Sequence, residues 1–292
     1  MSDVARIGRE QLRIALPSKG RMNEPAERLL HRAGLAFRRR ERRLYCSVRD
    51  VDAAVIFANA DDIPTLVAEG VVELGISGLD LVREHGGTAV EVLFPLGFGR
   101  CKLALAVREA SGIAGPADLA GRTIGTSFPR AAQAYLDAQG IAARLIVLGG
   151  SLEVMVALEL VDAIVELVET GDSLRDNHLV PIADIARSEA VLIARSSPTP
   201  HPLRARLARR IEGVVIADQY AICEYNLPVA ALDAARLVTP GYESPTVQRT
   251  EDPAIVAIKV MVKRAELADV MDKLEAIGAN AIFATELTNC RL

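Results

Sequence analysis

Short apolar runs alternate with amphipathic stretches along most of this chain, and that alternation restricts the folds open to it. Leu12-Arg13-Ile14-Ala15-Leu16 reads as a strand, ended by the turn Pro17-Ser18-Lys19-Gly20. Asn23-Glu24-Pro25 opens a helix through about Ala33, with Asn23 as N-cap and Gly34 as the stop. Val51 to Ala58 reads as a second strand. Asp61-Asp62-Ile63-Pro64 starts a helix ending near Gly70, where acidic residues suit the positive helix end. Leu74-Gly75-Ile76-Ser77-Gly78 is a third strand, followed by a helix over Leu79 to Glu84. Strands and helices in this order imply a mostly parallel sheet covered on both faces.

The rhythm restarts near Cys101. Strands are expected over Lys102 to Val107, Arg122 to Thr126, Leu145 to Leu148 and Asp162 to Val168. Helices are expected over Ala131 to Ala138, closed by Gly140, over Leu152 to Leu160, and over Leu174 to Asn177. Ala190 to Ala194 is a further strand that returns to the first lobe. After the Ser- and Pro-rich loop 196–202 comes a helix over Leu203 to Ile216. A βαββαβ order then follows from about Tyr220 to Thr285, the pattern of a small ferredoxin-like module. The expected fold is α/β: a two-lobed, periplasmic-binding-protein-like core with a C-terminal ferredoxin-like (α+β) domain. Lobe I takes residues 1–97 and 188–212, lobe II 98–187, and the last domain 213–292.

Composition narrows the function classes. Of 292 residues, half are hydrophobic and a quarter charged, which is the globular range. A net charge of −4 and the absence of Trp argue against a nucleic-acid partner that relies on charge or stacked bases. No apolar run is long enough to span a membrane and no signal-peptide core precedes the first strand, so a cytoplasmic protein is expected. The four cysteines show no metal-ligand spacing, and free thiols fit them best. The basic run Arg38-Arg39-Arg40-Glu41-Arg42-Arg43 reads as a solvated loop or as one wall of an anion pocket.

The segment Asp162 to Leu174 carries the most chemistry. An apolar strand runs into Glu169-Thr170-Gly171-Asp172-Ser173 just ahead of a helix. Amides there have no helical acceptor and meet the positive end of the helix dipole, which makes a cradle for an anion. Thr170 and Ser173 add hydroxyl donors, and Gly171 admits a phosphate close to the backbone. Asp162, Glu166 and Glu169 are placed for ribose hydroxyls or a divalent cation.

This segment resembles the phosphoribosyl-pyrophosphate loop of ATP phosphoribosyltransferases, long form. Other stretches resemble the same family in the same order. They are Leu16-Pro17-Ser18-Lys19-Gly20-Arg21, Asp62-Ile63-Pro64, Glu73-Leu74-Gly75-Ile76-Ser77-Gly78, Thr126-Ser127-Phe128-Pro129, Gly150-Ser151-Leu152-Glu153 and Arg187 to Ile193. Thr239 to Thr246 and Ala276 to Ile282 resemble its C-terminal regulatory domain. The sequence departs from the family pattern at Asn59, where Arg is usual, at Glu73, where Asp is usual, and at Glu159, where Gly is usual.

The resemblance implies a reaction and a set of roles. Adenine N1 of ATP attacks ribose C1 of phosphoribosyl pyrophosphate and pyrophosphate leaves, the first step of histidine synthesis. Lys19, Arg21, Asp162 and Glu166 are the expected catalytic residues. Gly20, Ser77, Gly78, Thr126, Ser127, Glu153, Glu169, Thr170, Gly171, Asp172, Ser173 and Leu174 are expected to bind substrate. Mg²⁺ is the implied cofactor. Histidine and AMP are implied inhibitors, with Asn226, Tyr242, Thr246 and Ala281 near the histidine. A homo-oligomer, from dimer to hexamer, is implied too. A solute-binding bilobed protein and a catalytically weak regulatory subunit are the rival readings, the latter prompted by Asn59.

Overall fold

A computed structural model describes residues 11–39, 43–150 and 152–292. Arg40, Glu41 and Arg42 of the basic run, and Ser151 of the Gly150-Ser151-Leu152-Glu153 stretch, lie outside the described residues. Contacts divide the chain into two compact units, Met1–Arg28 with Ala36–Arg204, and Leu29–Leu35 with Ala205–Leu292. The expected two-lobed α/β core followed by a ferredoxin-like module is present.

Lobe I of the first unit is a sheet in the order β2-β3-β1-β4-β11-β5. Its strands are β1 (Leu12–Pro17), β2 (Tyr45–Ser47), β3 (Ala53–Ala58), β4 (Leu74–Gly78), β5 (Val90–Pro95) and β11 (Ala190–Arg195). The helices are α1 (Asn23–Arg32), α2 (Ile63–Ala68) and α3 (Leu79–His85). Ala15, Ile63, Val67, Val72, Val82, Val191 and Ile193 form one buried core of this lobe. Gly75 is required in β4 because a Cβ there would lie 2.7 Å from Ile63 Cγ2.

Lobe II is a sheet in the order β10-β6-β9-β7-β8. Its strands are β6 (Cys101–Arg108), β7 (Thr123–Thr126), β8 (Arg144–Val147), β9 (Ala163–Val168) and β10 (Leu179–Ser188). Helices α4 (Pro129–Gln139), α5 (Leu152–Ala157) and α6 (Asp172–Asp176) cover it. Alternate residues of its strands feed two cores, one on each face: Leu103, Leu105, Val107 and Ile124 on one side, Ala104, Ala106 and Ile164 on the other. Pro129 opens α4 and Gly140, at φ +69, closes it in the left-handed conformation that an L side chain resists.

The expectation of mostly parallel sheets is corrected. In lobe I, β1 is parallel to β3 and β4, whereas β2, β11 and β5 pair antiparallel. In lobe II, β7 is parallel to β8 and β9, whereas β6 pairs antiparallel with β9 and β10. β2 is antiparallel because it turns straight back into β3, whereas β5, β6, β10 and β11 flank the two places where the chain crosses between lobes. β5 leads to β6 and β10 leads back to β11. The two crossings are bonded to each other, with Ala190 N–H donating to Phe98 O and Leu96 N–H to Ala190 O, both at 2.9 Å.

The long C-terminal stretch of the second unit begins with α7 (Arg204–Gln219). β12 (Tyr220–Pro228), α8 (Leu232–Val238), β13 (Thr246–Arg249), β14 (Ile255–Lys263), α9 (Leu267–Ala276) and β15 (Asn280–Glu286) follow. The sheet order β13-β14-β12-β15 is antiparallel throughout and encloses a core of Tyr225, Ile258, Leu274 and their neighbours. Tyr225 Oη, inside that core, is within 2.6 Å of Thr239 Oγ1, which satisfies both buried hydroxyls.

Candidate active site

The loops at the ends of β1, β7 and β9 converge on one cleft of about 750 Å³ between the two lobes. That volume suits a nucleotide-sized ligand. Lobe I contributes Lys19, Gly20, Arg21, Met22, Ala60, Asp61, Asp80, Leu81 and His85. Lobe II contributes Ser127, Phe128, the 147–150 segment, Glu153 and the 166–174 segment.

The turn after β1 presents Lys19, Gly20 and Arg21, all exposed, with Gly20 at φ +79. Arg39 braces this turn from behind. It pairs with Glu27 at 2.6 Å, donates to Ser18 O at 2.8 Å and lies 4.1 Å over the Phe57 ring. Of the basic run, Arg39 therefore supports the site without lining it. Arg21 reaches across the cleft to form an ion pair with Glu169.

The facing turn joins β9 to α6, with Gly171 at φ +83. Thr170 Oγ1 donates to Asp172 Oδ2 at 2.5 Å, and Ser173 Oγ donates to Glu153 Oε1 at 2.8 Å. The Thr170 hydrogen bond, followed by the charge of Arg175, holds the Asp172 carboxyl below its ordinary range. Leu174 is buried and anchors the turn to the lobe II core. Deeper in the cleft, burial pushes the Glu166 carboxyl up. The Leu167 N–H, which donates to Glu166 Oε1 at 2.9 Å, opposes this, and the charge of Glu153 adds to it.

Three expected substrate contacts stand behind the cleft wall. Ser77 and Thr126 are fully buried. Ser77 Oγ donates to Ala60 O, and Thr126 Oγ1 donates to Val165 O while accepting from Phe128 N–H. They shape the turns that carry Ala60 and Ser127. Gly78 precedes α3, where a Cβ would come within 2.2 Å of Asp80 Oδ1.

Asp162 requires correction. It sits at the entry of β9, at the opposite end from the 169–174 turn. Its carboxylate accepts from Arg122 Nη1 at 3.0 Å and from Thr123 N–H at 2.9 Å. A strand advances about 3.3 Å per residue, so seven residues put it roughly 20 Å from Glu169. The departures from the family pattern also have local accounts. Asn59 donates to Asp62 Oδ2 at 3.3 Å and does not line the cleft. Glu73 accepts from Arg13 N–H and Nη2 at 2.7 and 2.8 Å. Glu159 has φ +59, a conformation that favours the glycine usual there.

Sequence reasoning missed Asp80, Leu81 and His85. The signal was present: Leu81 and His85 are four apart on α3 and share a helix face, but nothing local says which face meets the cleft.

In the second unit, Tyr242 and Thr246 line a separate pocket with Glu243, Ser244, Lys259 and Met261. Asn226 and Ala281 do not line that pocket. They lie near an irregularity where β12 meets β15, with Asn226 opposite Asn280 and Ala281 at φ +49. The structure thus brings the four expected inhibitor contacts together as two separate pairs.

The chain is similar to known proteins over nearly its whole length. The family described as HisG: ATP phosphoribosyltransferase matches residues 59–213, and HisG, C-terminal domain, matches residues 217–289. The ATP phosphoribosyltransferase of Rhodopirellula baltica is 43% identical over 281 residues, covering 96% of this chain and 94% of that one. That of Eremothecium gossypii is 39% identical, covering 99% of this chain and 100% of the other. A chain of the Thermotoga maritima ATP phosphoribosyl transferase (HisG:HisZ) complex superposes with a TM-score of 0.60 at 25% identity, covering 70% of this chain and 99% of that one.

Proposed function

This chain belongs to the ATP phosphoribosyltransferase family, and on that premise we propose that its two substrates meet in the cleft between Lys19-Gly20-Arg21 and the 166–174 turn. The family reaction joins ATP to phosphoribosyl pyrophosphate at the first step of histidine biosynthesis. The N1–C1 bond forms, the C1–O bond to pyrophosphate breaks, and the pyrophosphate leaves with the bonding pair.

One observation carries the placement: a cationic turn and a hydroxyl-bearing, glycine-containing turn face each other across a single cleft. Thr170, Gly171, Asp172, Ser173 and Leu174 form the seat of the 5′-phosphate, with Glu169 at its edge. Lys19 and Arg21 face the leaving pyrophosphate, where charge-assisted bonds stabilise the developing negative charge. Gly20 lets that turn approach closely. Glu166, and Glu153 beside it, meet the ribose. Ser127 belongs to the wall on which ATP rests. Holding both substrates in line lowers the entropic part of the barrier.

The donor set also bears on Mg²⁺. Asp61, Asp80, Glu153, Glu166, Glu169 and Asp172 line the cleft against the two cations Lys19 and Arg21. Among the described residues, no group of three or more His, Cys, Asp or Glu side chains is arranged to hold a metal alone. Hard oxygen donors without a complete protein cage fit Mg²⁺ held jointly by a carboxylate and substrate phosphates. Glu153 and Glu166 are the residues that would share it, and the ion would supply charge neutralisation of the pyrophosphate.

Histidine and AMP are proposed as inhibitors, the former at the C-terminal module through Tyr242 and Thr246 or through Asn226 and Ala281. A homo-oligomer and a cytoplasmic location complete the proposal. No helix among the described residues is long and apolar enough to cross a membrane.

The test is Lys19→Ala. Lys19 is exposed, so the variant folds normally while turnover, read by absorbance of the N1-substituted adenine product, falls by roughly a hundredfold or more. Wild-type turnover in a folded variant removes Lys19 from the site.

A further inference from the structure

The first backbone donors of α4 are all accounted for. Phe128 N–H donates to Thr126 Oγ1 at 2.9 Å, and Pro129 has no N–H. Arg130 and Ala131 donate to the two oxygens of Glu84, at 2.8 and 3.1 Å. Phe128, at the N-cap position, makes no side-chain cap. The cap therefore comes from another helix, α3, and from a carboxylate only 3% exposed. A carboxylate at this place satisfies two amides that a helix leaves unpaired and faces the positive end of an 11-residue helix.

The neighbours of Glu84 on α3 divide between the two lobes. Leu81 belongs to the core of lobe II and Val82 to the core of lobe I. Asp80 Oδ1 accepts from Ser188 Oγ at 2.5 Å, at the end of β10 where the chain returns to lobe I. Consecutive side chains of one short helix thus fasten both lobes and the return crossing. Asp80, Leu81 and His85 line the cleft on this side, and Ser127 and Phe128, immediately before the capped helix, line it opposite.

We propose that Glu84 is a positioning residue for the transferase, holding α4 and the Ser127-Phe128 wall at a set separation from the lobe I wall. The same carboxylate fills the N-terminus of α4 from within. A substrate phosphate is thereby denied that helix end, and the 169–174 turn remains as the phosphate seat of lobe II. This role rests on the cleft being the reaction site.

The experiment compares Glu84→Gln, Glu84→Asp and Glu84→Ala in the full chain. Glutamine keeps one acceptor oxygen and loses the charge; aspartate keeps both oxygens one methylene short. Steady-state kinetics are read well below the melting temperature, together with amide exchange at Arg130 and Ala131. In Glu84→Gln the KM for both substrates rises about fivefold or more, since cleft geometry governs both. Glu84→Asp lies between it and the parent. Arg130 and Ala131 lose exchange protection in Glu84→Gln and more so in Glu84→Ala. Parent KM values in folded Glu84→Gln overturn the proposal, whatever happens to the melting temperature. Lys19→Ala run in parallel separates the two ideas. If it loses turnover while Glu84→Gln is unaffected, only the positioning role fails; if it too is unaffected, the cleft assignment fails.

Discussion

Ser173 Oγ donates to Glu153 Oε1 at 2.8 Å, so the hydroxyl at the tip of the β9–α6 turn is held by a carboxylate from α5. The proposed 5′-phosphate must take over that donor, moving Glu153 aside or sharing it through a cation. Ser173 is exposed and Glu153 only half-buried, and the bond adds little to the stability of the fold. Ser173→Ala is therefore expected to melt within about a degree of the parent, because exposed polar pairs contribute little. Its KM for phosphoribosyl pyrophosphate rises roughly tenfold, the worth of one hydrogen bond to a charged group. An unchanged KM would remove Ser173 from the phosphate seat.

Burying the Glu166 carboxyl costs stability at neutral pH. Burial raises its carboxyl above the ordinary value of 4.5, with the Leu167 N–H opposing and Glu153 reinforcing. The unfolded chain releases this proton at lower pH than the folded chain does. Stability is thus lost as pH rises through the window from the ordinary value to the raised one. Glu166→Gln has no such loss. Its melting temperature exceeds that of the parent at pH 7, and the gap closes toward pH 4, while turnover drops. Thermal scans across that range check the sign.

Gly171 adopts φ +83, yet an added Cβ would meet only Val168 Cγ1 at 3.9 Å, an ordinary contact. The cost of Gly171→Ala is then purely backbone, about 1 kcal/mol. Gly115 is the control: it is extended, at φ −159, with nothing within 4 Å of its Cβ position. Denaturant melts should show a loss in Gly171→Ala and none in Gly115→Ala, with a raised KM for phosphoribosyl pyrophosphate in the former alone.

Asp162 ties the start of β9 to the start of β7 through Arg122 and the Thr123 amide. Asp162→Ala leaves that amide without its carboxylate and costs about 1–2 kcal/mol. Substrate KM values of the folded variant stay at parent level, because the side chain lies outside the cleft. A selective rise in KM for phosphoribosyl pyrophosphate would return Asp162 to the site.

Asp162 and β10 show where sequence reading stopped. An acidic residue beside an apolar strand and a phosphate turn invites a catalytic role, but strand geometry carries it to the far end of β9. β10 escaped notice because Pro181, Asp184 and Arg187 interrupt its apolar pattern, and two register shifts against β6 break its alternation. β5 and β2 lie at opposite edges of the lobe I sheet, where partial burial weakens the hydrophobic signal. By contrast, Gly140 was legible because a left-handed residue at a helix end favours glycine on local steric grounds alone.

The amino-acid order by itself determined the strand–helix rhythm, the ferredoxin-like tail, the hydroxyl-and-glycine turn after β9 and the cationic turn after β1. Each is a local matter of periodicity, propensity and turn sterics. Tertiary structure alone decided that Arg21 meets Glu169 across a cleft, that Ser77 and Thr126 stand behind its wall, and that Glu84 caps a helix of the other lobe. Those contacts join residues 17 to 148 positions apart. Their partners are selected by how two sheets and a shared helix pack, and no local window of the chain contains that information.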